Sequence, residues 1–270
     1  MTEPVQEQGV AATAEAVVAT ATAAAAATVL EPKWWGGHLR EMRWQAELAR
    51  LLADPVWRGV GLPRGDGGPV LLIPGFLAGD QSLSVMAAWL RRLGHAPRRA
   101  GISFNVRCSD TALDRLERVL HHVHLSTGRP VALVGHSRGG HFAKALATRY
   151  PQQVSQVISM GSGLDEPFDI SEPTRLAVEG VRRVVHRRDP VRAAQGCFTH
   201  TCLCRYSQDY RAPFPESVPL TSLYSKGDGV VRWRACVVPY ARCVEVTGSH
   251  IGLAFNRHAY REIATTLAPR

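Results

Sequence analysis

Three polar residues, each in a loop rich in small residues, are of the types that activate a nucleophile: Ser137, Asp228 and His250. A serine hydroxyl is a poor nucleophile until a base takes its proton, and a third group must orient that base. Histidine is the commonest such base, and a carboxylate commonly orients it. The three residues therefore predict a catalytic triad in which Ser137 attacks an acyl carbonyl, His250 moves the proton and Asp228 holds the imidazole.

Ser137 lies in the sequence Gly-His-Ser-Arg-Gly, a G-x-S-x-G match. The apolar run Val131 to Val134 precedes it and predicts a buried strand, and a helical pattern from His141 to Tyr150 follows it. This strand-turn-helix context makes the short motif more specific for an exposed nucleophile. The turn also places the backbone N–H of Arg138 at a helix N-terminus, where negative charge is favoured. The alternative is a glycine-rich turn with an incidental serine.

Asp228 and His250 each follow a predicted strand. The strand Leu220–Tyr224 leads into Ser-Lys-Gly-Asp-Gly, and the strand Val244–Val246 leads into Thr-Gly-Ser-His-Ile-Gly. The carboxyl ends of parallel strands border the site crevice of an open α/β sheet. Both side chains are therefore expected at that crevice.

Two other residues compete for these roles. Asp165 follows the predicted strand Val154–Met160 and is the rival acid, and His258, at the closing helix, is the rival base. The chain order serine, acid, histidine favours Asp228 and His250. The small-residue loop around His250 has no counterpart around His258.

These segments resemble the triad segments of the α/β-hydrolase superfamily, on its lipase and esterase side. The resemblance covers roughly Val70 to Leu267 and includes Leu-Ile-Pro-Gly-Phe at residues 72–76, which is similar to the oxyanion loop of that superfamily. It implies that the backbone N–H groups of Phe76 and Arg138 stabilise an oxyanion, with Leu77 as the rival to Phe76. The usual first two antiparallel strands are not evident, so an N-terminal helix is expected to cover that edge.

Alternating strands and helices are predicted to position these loops. The strands are expected at residues 70–73, 96–103, 131–134, 154–160, 220–224 and 244–246, and helices are expected to begin at Ser82 and Ser109 and to close the chain at 259–267. This alternation indicates an α/β-hydrolase fold, a mostly parallel central sheet flanked by helices. Residues 164–218 interrupt it with a basic helical segment, 174–188, and a cysteine- and proline-rich stretch. They predict a lid-like insertion.

The N-terminal region has a different composition. Residues 1–32 are rich in alanine and threonine and predict a disordered tail, and residues 33–270 form the expected α/β-hydrolase domain. Within that domain, residues 33–58 place tryptophan and leucine at three- and four-residue spacings, which predicts an amphipathic helix. A secretory signal needs a positive start, and no Lys or Arg precedes Lys33. A cytoplasmic location is therefore expected over secretion.

Composition limits the other classes of function. The net charge is +9, from 32 basic and 23 acidic residues. No zinc-finger spacing or RNA-binding aromatic motif accompanies this charge, so nucleic acid is not expected as a partner. No apolar run approaches the length of a bilayer span, so stable membrane insertion is not expected either. The expected partner is a small-molecule or lipid ester substrate, and the oligomeric state is left open.

The six cysteines do not form a recognisable metal motif. A compact group consists of Cys197, His200, Cys202 and Cys204. Its last two cysteines are separated by one residue, tighter than the C-x₂₋₄-C spacing usual for zinc. No metal or organic cofactor is therefore expected, and packed thiols or a disulfide are favoured. Cys236 and Cys243 flank a predicted turn and are close enough in sequence to pair.

The expected reaction is hydrolysis of a carboxylic ester through an acyl-enzyme. The preference for esters with an acyl chain is an analogy with lipases. One alternative is an acyltransferase or thioesterase that uses the same triad. Another is a non-catalytic scaffold that binds a ligand or partner through the basic insertion, although the intact triad counts against it.

Overall fold

A six-stranded parallel sheet forms the centre of the molecule. The computed structural model describes residues 40–269, and in them the strand order is β2-β1-β3-β4-β5-β6. The strands are β1 Pro69–Ile73, β2 Ala96–Arg99, β3 Val131–His136, β4 Val154–Met160, β5 Leu220–Tyr224 and β6 Arg242–Glu245. The predicted tail, residues 1–32, and the first residues of the predicted helix 33–58 lie outside the described residues.

Helices connect the strands, as expected for parallel pairs. They are α1 Trp44–Ala53, α2 Ser84–Leu93, α3 Ser109–Thr127, α4 Arg138–Arg149, α5 Glu172–Arg188, α6 Pro190–Ala194, α7 Arg205–Arg211 and α8 Arg257–Thr266. The predicted α/β-hydrolase fold, a parallel sheet flanked by helices, is confirmed. No helix within residues 40–269 is long and apolar enough to cross a bilayer.

Both faces of the sheet are buried, which explains the continuous apolar strands in the sequence. Because side chains alternate between the faces of a strand, Val70 and Leu72 of β1 belong to one core and Leu71 and Ile73 to the other. Residues of α2 and α8 complete the first core, and residues of α3 and α4 complete the second. The central strands β1 and β3 are buried along their whole length.

Several element boundaries differ from those predicted. The strand expected at 96–103 ends at Arg99, because the chain turns at Gly101 with a φ of 70°, and the N–H of Gly101 bonds the Asp80 carboxylate at 2.9 Å. The last strand covers Arg242–Glu245 instead of 244–246. Ser82 does not cap a helix, since its hydroxyl donates to the Gly79 carbonyl at 2.8 Å and α2 begins two residues later.

The first helix ends earlier than predicted. It ends at Ala53, where the Asp54 carboxylate accepts the Val56 N–H at 3.0 Å and a 3₁₀ turn begins at Pro55. The helix packs on the 3₁₀ turn Ile251–Phe255 that follows β6. The part of the predicted helix before residue 40 lies outside the described residues, so its covering of the sheet edge stays a prediction.

The segment between β4 and β5, residues 161–219, holds α5, α6 and α7. Helix α7 packs on α4, with the Tyr206 and Phe142 rings 5.4 Å apart. Helix α5 has no fully buried residue, and its Leu176 and Val184 are exposed. The insertion therefore joins the body of the fold through α7 and through its first residues, where Ile170 forms a β-bridge with Val231, whereas α5 is more exposed.

Candidate active site

The turn between β3 and α4 holds Ser137 in a strained conformation. Its φ is 53° and its ψ is −123°, a combination that residues other than glycine rarely adopt. The flanking glycines permit it: a Cβ atom on Gly135 would lie 2.4 Å from Gly139, and one on Gly139 would lie 2.1 Å from the Ile73 carbonyl oxygen. The serine N–H donates to the Met160 carbonyl at 2.8 Å. This turn ties the serine to two neighbouring strands.

The structure pairs Asp228 with His250. The Asp228 Oδ2 lies 2.7 Å from the His250 Nδ1, and its Oδ1 accepts the N–H groups of Val230 and Val231, both at 2.8 Å. Both side chains are almost fully buried. Because a carboxylate only accepts, Nδ1 carries a proton and Nε2 is left as the basic atom.

Two buried histidines lie together here with opposite shifts in pKa. Burial lowers the pKa of His250, but the Asp228 charge and hydrogen bond, with Glu41, outweigh burial and raise it. Burial, followed by repulsion from His250, lowers the pKa of His136 to about 4. The His136 Nε2 donates to the His250 carbonyl at 2.9 Å, and the two rings lie 4.9 Å apart. Near neutral pH, His136 is therefore uncharged, and it holds the His250 backbone through this hydrogen bond.

Two buried glutamates near the N-terminus hold the histidine loop. The Glu41 carboxylate accepts the N–H groups of Gly229 at 3.0 Å, His250 at 2.9 Å and Ile251 at 2.8 Å. Glu41 therefore bonds the acid loop and the histidine loop at once.

Glu47 bonds the same histidine loop one residue earlier. It accepts both the N–H and the hydroxyl of Ser249, at 2.9 and 2.8 Å. Sequence reasoning missed both glutamates, because residues 33–58 were interpreted only as an apolar packing helix. A signal was present, since Glu47 lies three residues after Trp44 and four before Leu51, on the apolar face.

The candidate oxyanion donors are the backbone N–H groups of Phe76, in a loop, and Arg138, at the start of α4, and the Arg138 side chain connects these two segments. The Arg138 N–H is the first of α4 and has no acceptor within the helix. Its guanidinium donates to the Asn105 carbonyl and side-chain oxygens, both at 3.1 Å, and to the Arg107 carbonyl at 2.8 Å. Asn105 in turn donates to the Pro74 carbonyl at 2.9 Å. The Arg138 side chain thus fixes the loop that carries Phe76.

Phe76 and its rival Leu77 differ in the use of their amides. The Leu77 N–H donates to the Asn105 carbonyl at 3.4 Å, and Leu77 has a φ of 60°. The Phe76 N–H has no acceptor within residues 40–269. The geometry therefore leaves Phe76 as the available donor.

Ser137 lies between two cavities. The larger, ≈ 530 Å³, is lined by Ser137, His250 and mostly apolar residues that include Trp44, Phe76, Leu77, Ala177, Ile251 and Phe255. The narrower, ≈ 90 Å³, extends from Ser137 beneath the insertion and is lined by Phe76, Arg138, His141, Phe168, Val178, Phe198, Cys202, Tyr206 and Tyr210, among others. Within residues 40–269 the Ser137 hydroxyl makes no hydrogen bond. Such catalytic bonds are often long without substrate.

The rival residues are engaged elsewhere. The Asp165 carboxylate pairs with Lys144 at 3.0 Å and with the Tyr240 hydroxyl. His258 is exposed on α8, and it does not line either of the two cavities at Ser137. Cys236 and Cys243 are free thiols.

The structure contains a compact cysteine group, but its members differ from those that the sequence predicted. The sulfur atoms of Cys197, Cys202 and Cys204 all lie within 4.8 Å of one another. Cys108, from the loop before α3, adds a sulfur 2.8 Å from that of Cys197. His200 does not belong to the group, and its ring lies 4.6 Å from that of Phe168. The sulfurs of Cys197, Cys202 and Cys204, without that of Cys108, form the only His/Cys/Asp/Glu cluster within residues 40–269 that has metal-binding spacing.

An open parallel sheet with a serine on a strained strand-to-helix turn, followed along the chain by an acid and a histidine, defines the α/β-hydrolase class. The α/β hydrolase fold family model matches residues 68–187. This match to part of the chain and the parallel sheet topology show that the chain has the α/β-hydrolase fold. No protein of curated function matches the sequence.

Solved structures share the fold at low sequence identity. A Bacillus licheniformis lipase is 14% identical with a TM-score of 0.55, covering 78% of this chain and 96% of its own. A monoacylglycerol lipase of Paleococcus ferrophilus is 14% identical with a TM-score of 0.53, covering 77% and 96%. An α/β superfamily hydrolase of Oenococcus oeni is 14% identical with a TM-score of 0.52, covering 75% and 92%. At this identity the likeness concerns the fold.

Proposed function

We propose that the protein hydrolyses carboxylic esters through an acyl-enzyme, with Ser137 as nucleophile, His250 as general base and Asp228 as its orienting acid. The observation that carries this proposal is the 2.7 Å bond between Asp228 and His250 beside a cavity that Ser137 and His250 both line. That arrangement supplies the two groups a serine needs for activation.

In the first half-reaction, the His250 Nε2 takes the Ser137 proton as Oγ bonds the acyl carbon. The carbonyl π electrons move to oxygen, and the N–H groups of Phe76 and Arg138 stabilise that oxyanion. When the oxyanion collapses, the ester C–O bond breaks and the alcohol leaves with the proton from His250.

In the second half-reaction, His250 takes a proton from water, whose oxygen attacks the acyl-serine carbon. Collapse of the second oxyanion releases the carboxylic acid, and Ser137 regains its proton. The free energy of the charged imidazole is lowered in both halves by Asp228, consistent with the raised pKa of His250.

The two cavities suggest how an ester would lie. The larger cavity has mostly apolar walls, which suit a hydrocarbon acyl chain. The insertion contributes Pro173, Thr174 and Ala177 to that cavity and Thr174 and Val178 to the narrower one. We infer that residues 164–218 act as a lid whose position sets the acyl length accepted.

A fluorophosphonate probe tests the nucleophile. Wild type is expected to react covalently, Ser137→Ala is expected not to, and the tagged residue is expected to be Ser137 by peptide mass. Ser82 lines the same cavity, so Ser82→Ala is the matched control and keeps its label. Labelling that survives Ser137→Ala would refute the assignment.

A p-nitrophenyl ester series of increasing acyl length tests the substrate class. We expect turnover with a clear optimum in chain length, lost in Ser137→Ala and retained in Ser82→Ala. Product analysis with added alcohol distinguishes hydrolysis from acyl transfer: a transferase would yield the new ester in preference to the free acid. Probe labelling without turnover of any ester would contradict ester hydrolysis.

A further inference from the structure

Four buried cysteines from two distant segments meet at the base of the insertion. Cys108 precedes α3, whereas Cys197, Cys202 and Cys204 lie between α6 and α7. The Cys108 and Cys197 sulfurs are 2.8 Å apart, as are those of Cys202 and Cys204. Unbonded thiols gain little from such crowding, so the arrangement calls for an atom that the sulfurs share.

The segment around these cysteines has almost no other core. Among the described residues, the four cysteines form a separate cluster, and the half-buried Phe198 and Tyr206 pack against it. Cys197 lies in a tight loop between Gly196 and Phe198, both with a φ of 64°, and the φ of Phe198 is unfavourable for a side chain. A segment with so little apolar burial needs another source of stability, which a metal ion commonly supplies.

Three arginines lie around the cluster. Arg138 interacts electrostatically with Cys108, Cys197 and Cys204, Arg192 with Cys108 and Cys197, and Arg211 with Cys202. Four thiolates around one divalent ion carry a net charge of about −2. Neighbouring guanidinium groups would compensate this negative charge. Two disulfides would carry no charge and would need no such compensation.

We propose that Cys108, Cys197, Cys202 and Cys204 bind one structural zinc ion that fastens the insertion to the start of α3. A Zn–S distance of about 2.3 Å places tetrahedral sulfurs about 3.8 Å apart. The sulfurs of Cys197, Cys202 and Cys204 already lie within 4.8 Å of one another, and that of Cys108 lies 2.8 Å from Cys197 but outside this group. To meet the tetrahedral geometry, Cys108 needs to move toward Cys202 and Cys204, and the two close pairs need to separate by about 1 Å. Four thiolates leave no open position, and soft thiolate ligands select zinc.

This site would brace one wall of the candidate active site. Cys202 lines the narrower cavity with Ser137, and the Arg138 guanidinium lies 4.8 Å from the Phe198 ring. The metal would therefore hold the wall in place without contacting an ester. Because this proposal needs no catalysis, Ser137→Ala is expected to retain the metal in full.

The test is metal content of the full chain, expressed with zinc and purified under reducing conditions. Elemental analysis is expected to give about one zinc per chain in wild type and at least a tenfold loss in Cys197→Ser and Cys202→Ser. The matched control is Cys243→Ser, since that thiol lies outside the cluster and contacts the carbonyls of Val238 and Ala241. It is expected to keep the zinc.

A second measurement needs no variant and so does not depend on how the variants fold. Co²⁺ in place of zinc is expected to give thiolate charge-transfer bands in the near ultraviolet and the visible bands of a tetrahedral ion. Folded wild type that holds neither zinc nor Co²⁺ would overturn the proposal. So would an intact mass showing that cysteines of the cluster are joined in disulfides in the folded protein.

Discussion

Glu41 offers a sharp test of how the candidate active site is held together. Its carboxylate accepts three backbone N–H groups, two through Oε1 and one through Oε2. In Glu41→Gln the side chain keeps its size, and its carbonyl can occupy the Oε1 position. The amide NH₂ then faces the Ile251 N–H, so one charge-assisted bond is replaced by two opposed donors.

The expected loss in free energy of unfolding is about 1.5–3 kcal/mol, the typical contribution of a hydrogen bond to a charged group. Glu41→Ala removes all three bonds and is expected to cost about twice as much. Glu47→Gln is the matched control, because Glu47 bonds the same loop through Ser249 but is not among the charges that raise the pKa of His250.

The pH profile separates the role of the Glu41 charge from its role in packing. Glu41 helps to raise the pKa of His250, and a general base acts only when it is neutral. Glu41→Gln is therefore expected to move the acid limb of kcat/KM to lower pH. Folding raises the pKa of His250, so its protonated form stabilises the fold below the unfolded pKa, and this contribution is lost as pH rises through the folded pKa.

The assay is ester hydrolysis from about pH 5 to 9, the range in which a histidine titrates, with p-nitrophenol read at its isosbestic wavelength. Urea unfolding of the same samples gives the stability. We expect both glutamine variants to be destabilised and only Glu41→Gln to shift the acid limb. An unchanged or upward shift in Glu41→Gln, or an equal shift in Glu47→Gln, would refute the reasoning.

Three further perturbations test other parts of the site. Asp228→Asn is expected to lower kcat by about 10⁴-fold by favouring the wrong imidazole tautomer, whereas Asp165→Asn keeps kcat near wild type; comparable losses in steady-state kinetics would reverse the assignment of the acid. Asn105→Ala unties the oxyanion loop and is expected to cost up to about 10²-fold in kcat/KM with little change in the pKa of the acid limb; an unchanged kcat/KM would show that the loop holds itself. Gly139→Ala places a Cβ atom 2.1 Å from the Ile73 carbonyl oxygen, so it is expected to abolish soluble expression or to lower the melting temperature sharply, and a melting temperature equal to wild type would contradict the close approach.

The elements that sequence reasoning predicted are those with a local signal. The strands around Ser137 are continuous apolar runs, and the glycines next to it report a turn that has no room for side chains. The Asp228 and His250 loops follow strands in the same way, which placed both residues at the carboxyl edge of the sheet.

What was missed depends on partners far apart in the chain. Glu41 bonds His250 across 209 residues, and Cys108 meets Cys197 across 89. No periodicity or spacing encodes such contacts, because they arise only when separate elements pack. The boundary of β2 was missed for a similar reason, since Asp80 holds the chain that leaves the sheet at Gly101.

The bonds from Glu41 join two segments that the ribosome makes at different times. Glu41 is synthesised 209 residues before His250, so these bonds can form only after the histidine loop has been made. Proteolytic cleavage just after residue 41 would leave both hydrophobic cores intact, because all their residues lie later in the chain. It would remove the Glu41 bonds to the loop that carries His250. A residue at the start of the described chain thus holds one of the last loops to be synthesised.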